Sequence, residues 1–75
     1  MSETQQPDTA VFAGTHLERG SYFADAKAME IEFSDGSRYR YDGVPDYVWD
    51  ELKATDAPGS YFHRHVKGRF PYRRT

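Results

Sequence analysis

The stretch MEIEFSDGSRYRYDG, residues 29–43, decides the fold. Met29, Ile31 and Phe33 alternate with Glu30 and Glu32, and Tyr39 and Tyr41 alternate with Arg38 and Arg40. Successive side chains of a strand point to opposite faces, so strict alternation marks two half-buried strands. Parity fixes the turn between them. A two-residue loop of Asp35 and Gly36 would set Phe33 opposite Arg38 and mix an apolar face with a charged one. A three-residue loop of Ser34, Asp35 and Gly36 sets Phe33 opposite Ser37, Ile31 opposite Tyr39 and Met29 opposite Tyr41. Glu32 then meets Arg38, and Glu30 meets Arg40. Gly36 falls at the third loop position, which needs a left-handed backbone.

Outward from the hairpin, Gly43 breaks the strand and Val44-Pro45 leads into a helix over about Pro45 to Ala54. Proline suits a first helical position, and Asp46 meets the positive end of the helix dipole. Val48, Trp49 and Leu52 share one face of that helix. Pro58 starts a second helix ending near Gly68, with Phe62 and Val66 inward and His63, Arg64 and Lys67 on the other side. Pro71 forbids a central strand and leaves an edge strand or an extended tail. Before the hairpin, His16 to Tyr22 reads as a strand with Leu17 inward, although Gly14 and Gly20 weaken it. Ala24 to Lys27 turn into the next strand. The expected fold is α+β: a three-stranded antiparallel meander with two short helices on one face. Residues 1–10 are expected to be a disordered tail, and residues 11–75 one domain.

The chain has 75 residues and no cysteine, so neither disulfides nor thiol-based metal or redox sites are available. A core this small must come from large side chains, and 5 Phe, 6 Tyr and 1 Trp supply it. No apolar run approaches the roughly 20 residues of a membrane span, and the polar start lacks a signal-peptide core. A cytoplasmic location is expected.

Charge is divided sharply along the chain. Residues 1–58 hold all 12 acidic residues against five basic ones, a net of −7. Residues 59–75 hold Arg64, Lys67, Arg69, Arg73 and Arg74 with no acid, a net of +5, together with His63 and His65. Such asymmetry points to an anionic partner or to pairing of the two ends. These cations suit phosphates, and His63, Phe70 and Tyr72 interleave with them as stacking surfaces. The plainer alternative is a solvated basic face, with Phe70 and Tyr72 closing the core. Arg38 and Arg40 would extend the patch, but each faces a glutamate. Tyr39 and Tyr41 resemble a stacking platform, yet share their face with Ile31 and Phe33 and read as core.

Metal binding and catalysis are not expected. His63 and His65 stand about 200° apart on a helix and cannot converge on one ion. Ser60 has no histidine–acid pair in a nucleophile motif, and no phosphate-cradling glycine loop exists. No cofactor is implied.

The order of these features resembles the KTSC domain, named for its occurrence at the carboxyl end of some lysyl-tRNA synthetases and found also as small separate proteins. The resemblance rests on Tyr22, the alternating Met29, Ile31 and Phe33, Gly36, the Tyr39-x-Tyr41 pair and Val44-Pro45. Gly59, Tyr61, Phe62, Val66 and the aromatic, basic end with Tyr72 complete it. It covers about His16 to Arg74. Gly20 departs from a usual aliphatic residue, Phe23 from a frequent acid and His63 from a frequent asparagine. The resemblance implies no established activity, with RNA binding suspected. The leading expectation is a small non-enzymatic RNA-binding module using Arg64, Lys67, Arg69, Arg73 and Arg74, with Tyr72 and His63. The alternatives are a protein-interaction module presenting Glu18, Asp46, Asp50 and Glu51, and a nucleotide-binding sponge or sensor.

Overall fold

The computed structural model describes residues 7–12 and 16–75. Its elements are β1 (Asp8–Val11), β2 (Leu17–Phe23), β3 (Ala28–Phe33), β4 (Arg38–Asp42), α1 (Asp46–Ala54), α2 (Pro58–His65) and β5 (Tyr72–Arg74). The strands form one antiparallel sheet in the order β1-β2-β3-β4-β5. The architecture is α+β with two helices, as expected, but the sheet has five strands rather than three.

The hairpin has the register that parity requires. Met29 faces Tyr41, Glu30 faces Arg40, Ile31 faces Tyr39 and Glu32 faces Arg38. The Phe33 amide donates to the Ser37 carbonyl at 2.8 Å, closing the three-residue loop. Gly36 sits at φ 91°, and the Asp35 carboxylate accepts from both the amide and the hydroxyl of Ser37.

Both additional strands are edges. β1 pairs with β2, setting Ala10 opposite Gly20. Asp8–Ala10 are therefore part of the sheet, contrary to the expected tail, while residues 1–6 of that tail lie outside the described residues. β5 pairs with β4 and sets Tyr72 opposite Tyr41, Arg73 opposite Arg40 and Arg74 opposite Tyr39. It begins just after Pro71, whose carbonyl accepts from the Asp42 amide at 3.0 Å. This is the edge position open to a proline-led segment.

β2 carries an irregularity between Leu17 and Arg19. Without it, Leu17 and the pair Gly20 and Tyr22 would point to opposite faces. With the extra residue, all three are buried on the helix side. The core joins them to Met29, Ile31, Tyr41 and Val44 from the sheet side and to Val48, Trp49, Leu52, Phe62 and Val66 from the helical side. Trp49 lies over Tyr22 with ring centroids 6.0 Å apart and nearly parallel. The Tyr22 hydroxyl donates to the Val44 carbonyl at 2.5 Å and holds the strand-to-helix connection. Pro45 occupies the extended position just before α1 rather than its first turn. α2 is shorter than expected; a turn over residues 66–69 carries the chain toward β5. No helix among the described residues is long and apolar enough to cross a membrane.

Candidate nucleic-acid interface

Where β4, β5 and the end of α2 meet, the aromatic side chains do not close the surface. They line a groove of ≈ 390 Å³. Its floor follows from strand alternation: Phe33, Tyr39 and Tyr41 point to the helix side, and Tyr72 joins them through its register with Tyr41. Phe62 of α2 meets Phe33 and Tyr41 edge-on, with centroids 5.6 and 5.4 Å away. His16 stacks on Phe33 at 5.6 Å. Tyr72 lies 5.7 Å from both Tyr39 and Tyr41. Tyr41 is buried, Tyr39 half-buried, and Tyr72 is 60% exposed. One aromatic surface therefore runs from core to solvent. His63, Lys67 and Gly68 form the helical rim.

The three tyrosines bring polar atoms into this apolar surface. Burial, and then the neighbouring Tyr39 and Tyr72, push the Tyr41 hydroxyl up to about 12. Tyr41 thus stays neutral, with an O–H able to donate at neutral pH. Both of those neighbouring tyrosines line the same groove as Tyr41. Among the described residues, none of these three hydroxyls makes a hydrogen bond to protein, whereas the hydroxyls of Tyr22 and Tyr61 donate to the Val44 carbonyl and to Glu51.

The structure distributes the cations expected at the site. Lys67 and His63 line the groove with Tyr72. Arg74 is on the same face of β5 as Tyr72, opposite Tyr39, and its charge helps to lower the Asp35 carboxyl, after the hydrogen bonds from Ser37. Arg73, one residue away, is on the other face opposite Arg40. Arg69 lines a second recess between the helices with Tyr47, Glu51, Tyr61 and His65. Arg64 is exposed on α2 and lines neither. The five thus occupy several places rather than one patch.

None of the five makes an ion pair with a carboxylate among the described residues. The ion pairs among the described residues are Arg19–Glu32 at 3.0 Å, Arg40–Glu30 at 3.9 Å, Arg40–Asp42 at 3.5 Å and Lys53–Asp8. All their cations come from the first 58 residues. Glu32 lies opposite Arg38 as expected, but gives its ion pair to Arg19 on the other neighbouring strand. No group of three His, Cys, Asp or Glu side chains converges among the described residues.

Of the residues the sequence singles out for binding, Tyr72, His63 and Lys67 line this one groove, which no pattern in the sequence announces. The core reading of Tyr39 and Tyr41 holds, since Tyr41 is buried and Tyr39 packs against the core, but both also line the groove, as does His16, which the sequence marks only as the start of a strand. The available signal was the residue type: tyrosine at 39, 41 and 72, where phenylalanine would fill a dry core equally well.

Comparison with known proteins bears on the whole arrangement. Residues 14–70 match the family model described as the KTSC domain. The chain is 36% identical over 59 residues to a lysine–tRNA ligase of Trichormus variabilis and to one of Nostoc sp.. In each case the match covers 79% of this chain and 10% of that protein, so the chain spans about a tenth of their length. It is 37% identical over 46 residues to an uncharacterized protein of Stutzerimonas stutzeri, covering 61% of this chain and 65% of that one. The crystal structure of a KTSC domain protein from Yersinia pestis superposes with a TM-score of 0.84 at 24% identity, over 93% of this chain and 99% of that one. That likeness supports the fold. β1 and β5 lie outside the span matched by the family model.

Proposed function

The chain belongs to the KTSC domain family, and from that footing we propose that it is a small non-enzymatic module that binds RNA. The observation that carries the reading is the cationic end itself. Arg64, Lys67, Arg69, Arg73 and Arg74 make no ion pair with a carboxylate among the described residues, whereas Arg19, Arg40 and Lys53, three of the five cations in the first 58 residues, do. Unpaired surface cations release counterions when they meet phosphates, and this is the main source of affinity for a polyanion. The homologous stretch in proteins named lysine–tRNA ligase supports a nucleic-acid partner.

Fluorescence anisotropy with labelled single-stranded and hairpin RNA, repeated over a range of salt concentrations, tests the reading. Binding at low salt that weakens steadily as salt rises is expected. A Lys67→Glu, Arg74→Glu double variant should bind much more weakly at the same salt. Absence of binding at low salt, or affinity indifferent to salt, overturns the proposal.

A second reading is docking on a basic protein. It is favoured by the exposed face of α1, where Asp46 and Asp50 flank Tyr47, itself 60% exposed. Affinity purification with and without nuclease distinguishes the two, because partners bridged by RNA are lost on digestion.

A further inference from the structure

We propose that the groove between β4, β5 and the end of α2 is a pocket for one unpaired nucleotide. Its base would lie against Tyr72, and its phosphate toward Lys67 and Arg74. For a base carried in a strand, this rests on the RNA-binding reading; it goes further by naming the pocket and what enters it.

Three features of the groove carry the inference. The first is size: ≈ 390 Å³ falls within the roughly 300–1,000 Å³ of small-molecule pockets. The second is shape. The Tyr72 centroid is 5.7 Å from those of Tyr39 and Tyr41, tilted by 56° and 34°. Those gaps are too narrow for a planar ring, since stacking on both sides needs about twice the contact distance of roughly 3.5 Å. A base therefore enters from the solvent side and lies on Tyr72, whose 60% exposure leaves it accessible.

The third feature is chemistry. Tyr39, Tyr41 and Tyr72 bring three hydroxyls with no protein hydrogen bond among the described residues into one apolar surface. Lys67 and His63 stand on the rim. A purely apolar occupant would cover these hydroxyls and leave them unsatisfied, which is unfavourable. A nucleobase satisfies both demands, because its faces stack while its edge carries carbonyl and ring-nitrogen acceptors. Lys67 on the rim places positive charge beside the groove, and Arg74, outside its lining but on the same strand face as Tyr72, adds charge farther along β5.

The test compares a short single-stranded RNA with the same strand carrying abasic positions, against the full chain and its Tyr72→Ala and Tyr72→Phe variants. A nucleoside 5′-monophosphate is titrated separately with NMR observation of the tyrosine rings. Tyr72 is exposed enough for Ala to leave the core intact, and unchanged circular dichroism checks this. Loss of stacking should weaken binding of the intact strand by roughly 5- to 150-fold. Tyr72→Ala should lose this much on the intact strand and nothing further on the abasic one, with the salt slope unchanged. Tyr72→Phe should retain most of the affinity.

The proposal is overturned if Tyr72→Ala discriminates intact from abasic RNA as well as the unaltered chain does. RNA binding would then survive without the pocket. If no RNA binds but the monophosphate shifts the rings of Tyr39, Tyr41 and Tyr72, the pocket stands with a free nucleotide as its ligand and the RNA reading fails. If neither binds, both fail.

Discussion

Gly20 shows how one residue can be misjudged by local rules. A glycine inside a strand weakens it, and by that rule Gly20 counts against β2. In the fold, a Cβ at Gly20 would meet Ile31 Cδ1 at 2.9 Å, Trp49 Cζ3 at 3.1 Å and Phe12 Cε2 at 3.2 Å. The missing side chain is the space into which the indole of α1 packs, so the large residue is on the helix and the small one on the sheet. Ile31 Cδ1 is a flexible end that can move, but the Trp49 ring is wedged between Phe12 and Tyr22. Alanine would gain about 0.4–1 kcal/mol through the unfolded chain, against about 1–3 kcal/mol for overpacking. Gly20→Ala should therefore destabilise by about 1 kcal/mol, read from the urea midpoint, and Gly20→Val by more. Gly36 is the contrasting case. Nothing lies within 4 Å of a Cβ there, yet φ is +91°, so Gly36→Ala should cost about 1 kcal/mol through backbone strain alone. Trimming Trp49 to Leu should make Gly20→Ala less costly and leave the cost of Gly36→Ala unchanged.

At the scale of elements, the hairpin was legible because each of its side chains tests the same register, and an error of one residue would turn them all over. β1 was not legible. Asp8, Thr9, Ala10 and Val11 show no alternation of apolar and polar residues, and Val11 is 76% exposed. Its position is secured from a distance: the Asp8 carboxylate accepts from the Trp49 indole N–H at 2.7 Å and from the Lys53 ammonium, both on α1. These partners are more than forty residues away, beyond the reach of local patterns. The clasp has a pH signature. The Lys53 hydrogen bond, then that of Trp49, lowers the Asp8 pKa below its ordinary 3.8. A carboxyl that binds its proton less tightly when folded adds stability above its unfolded value and loses it as pH falls through the lowered folded value. Asp8→Asn should therefore be less stable than the unaltered chain at neutral pH. The two should converge in strong acid, where both side chains are neutral. Thermal unfolding across the acid range measures this, and a gap that persists unchanged to the lowest pH would show that the clasp is not ionic.

For the whole molecule, charge was legible as a quantity along the chain but not as a place in space. Pro71 masked β5, and β5 decides the matter, because alternation sends Arg73 to one face of the sheet and Tyr72 and Arg74 to the other. The groove was hidden for a related reason: its walls come from positions as far apart as His16 and Tyr72, and no short motif contains them. This geometry makes a quantitative prediction about binding. If all five cations reached phosphates of one single strand, the logarithm of affinity would fall against the logarithm of salt with a slope of about −3.5. Lys67 lines the groove and Arg74 shares the sheet face of Tyr72, so a strand that ran on from the groove along β5 would meet both, while Arg73 sits across the sheet beside Arg40. Lys67→Ala and Arg74→Ala should each flatten the slope by about 0.7, and Arg73→Ala should leave it unchanged. Anisotropy titrations of the three variants over the same salt range decide between two paths for the strand. If Arg73→Ala flattens the slope as much as Lys67→Ala does, the strand must pass around the free edge of β5 and contact both faces of the sheet.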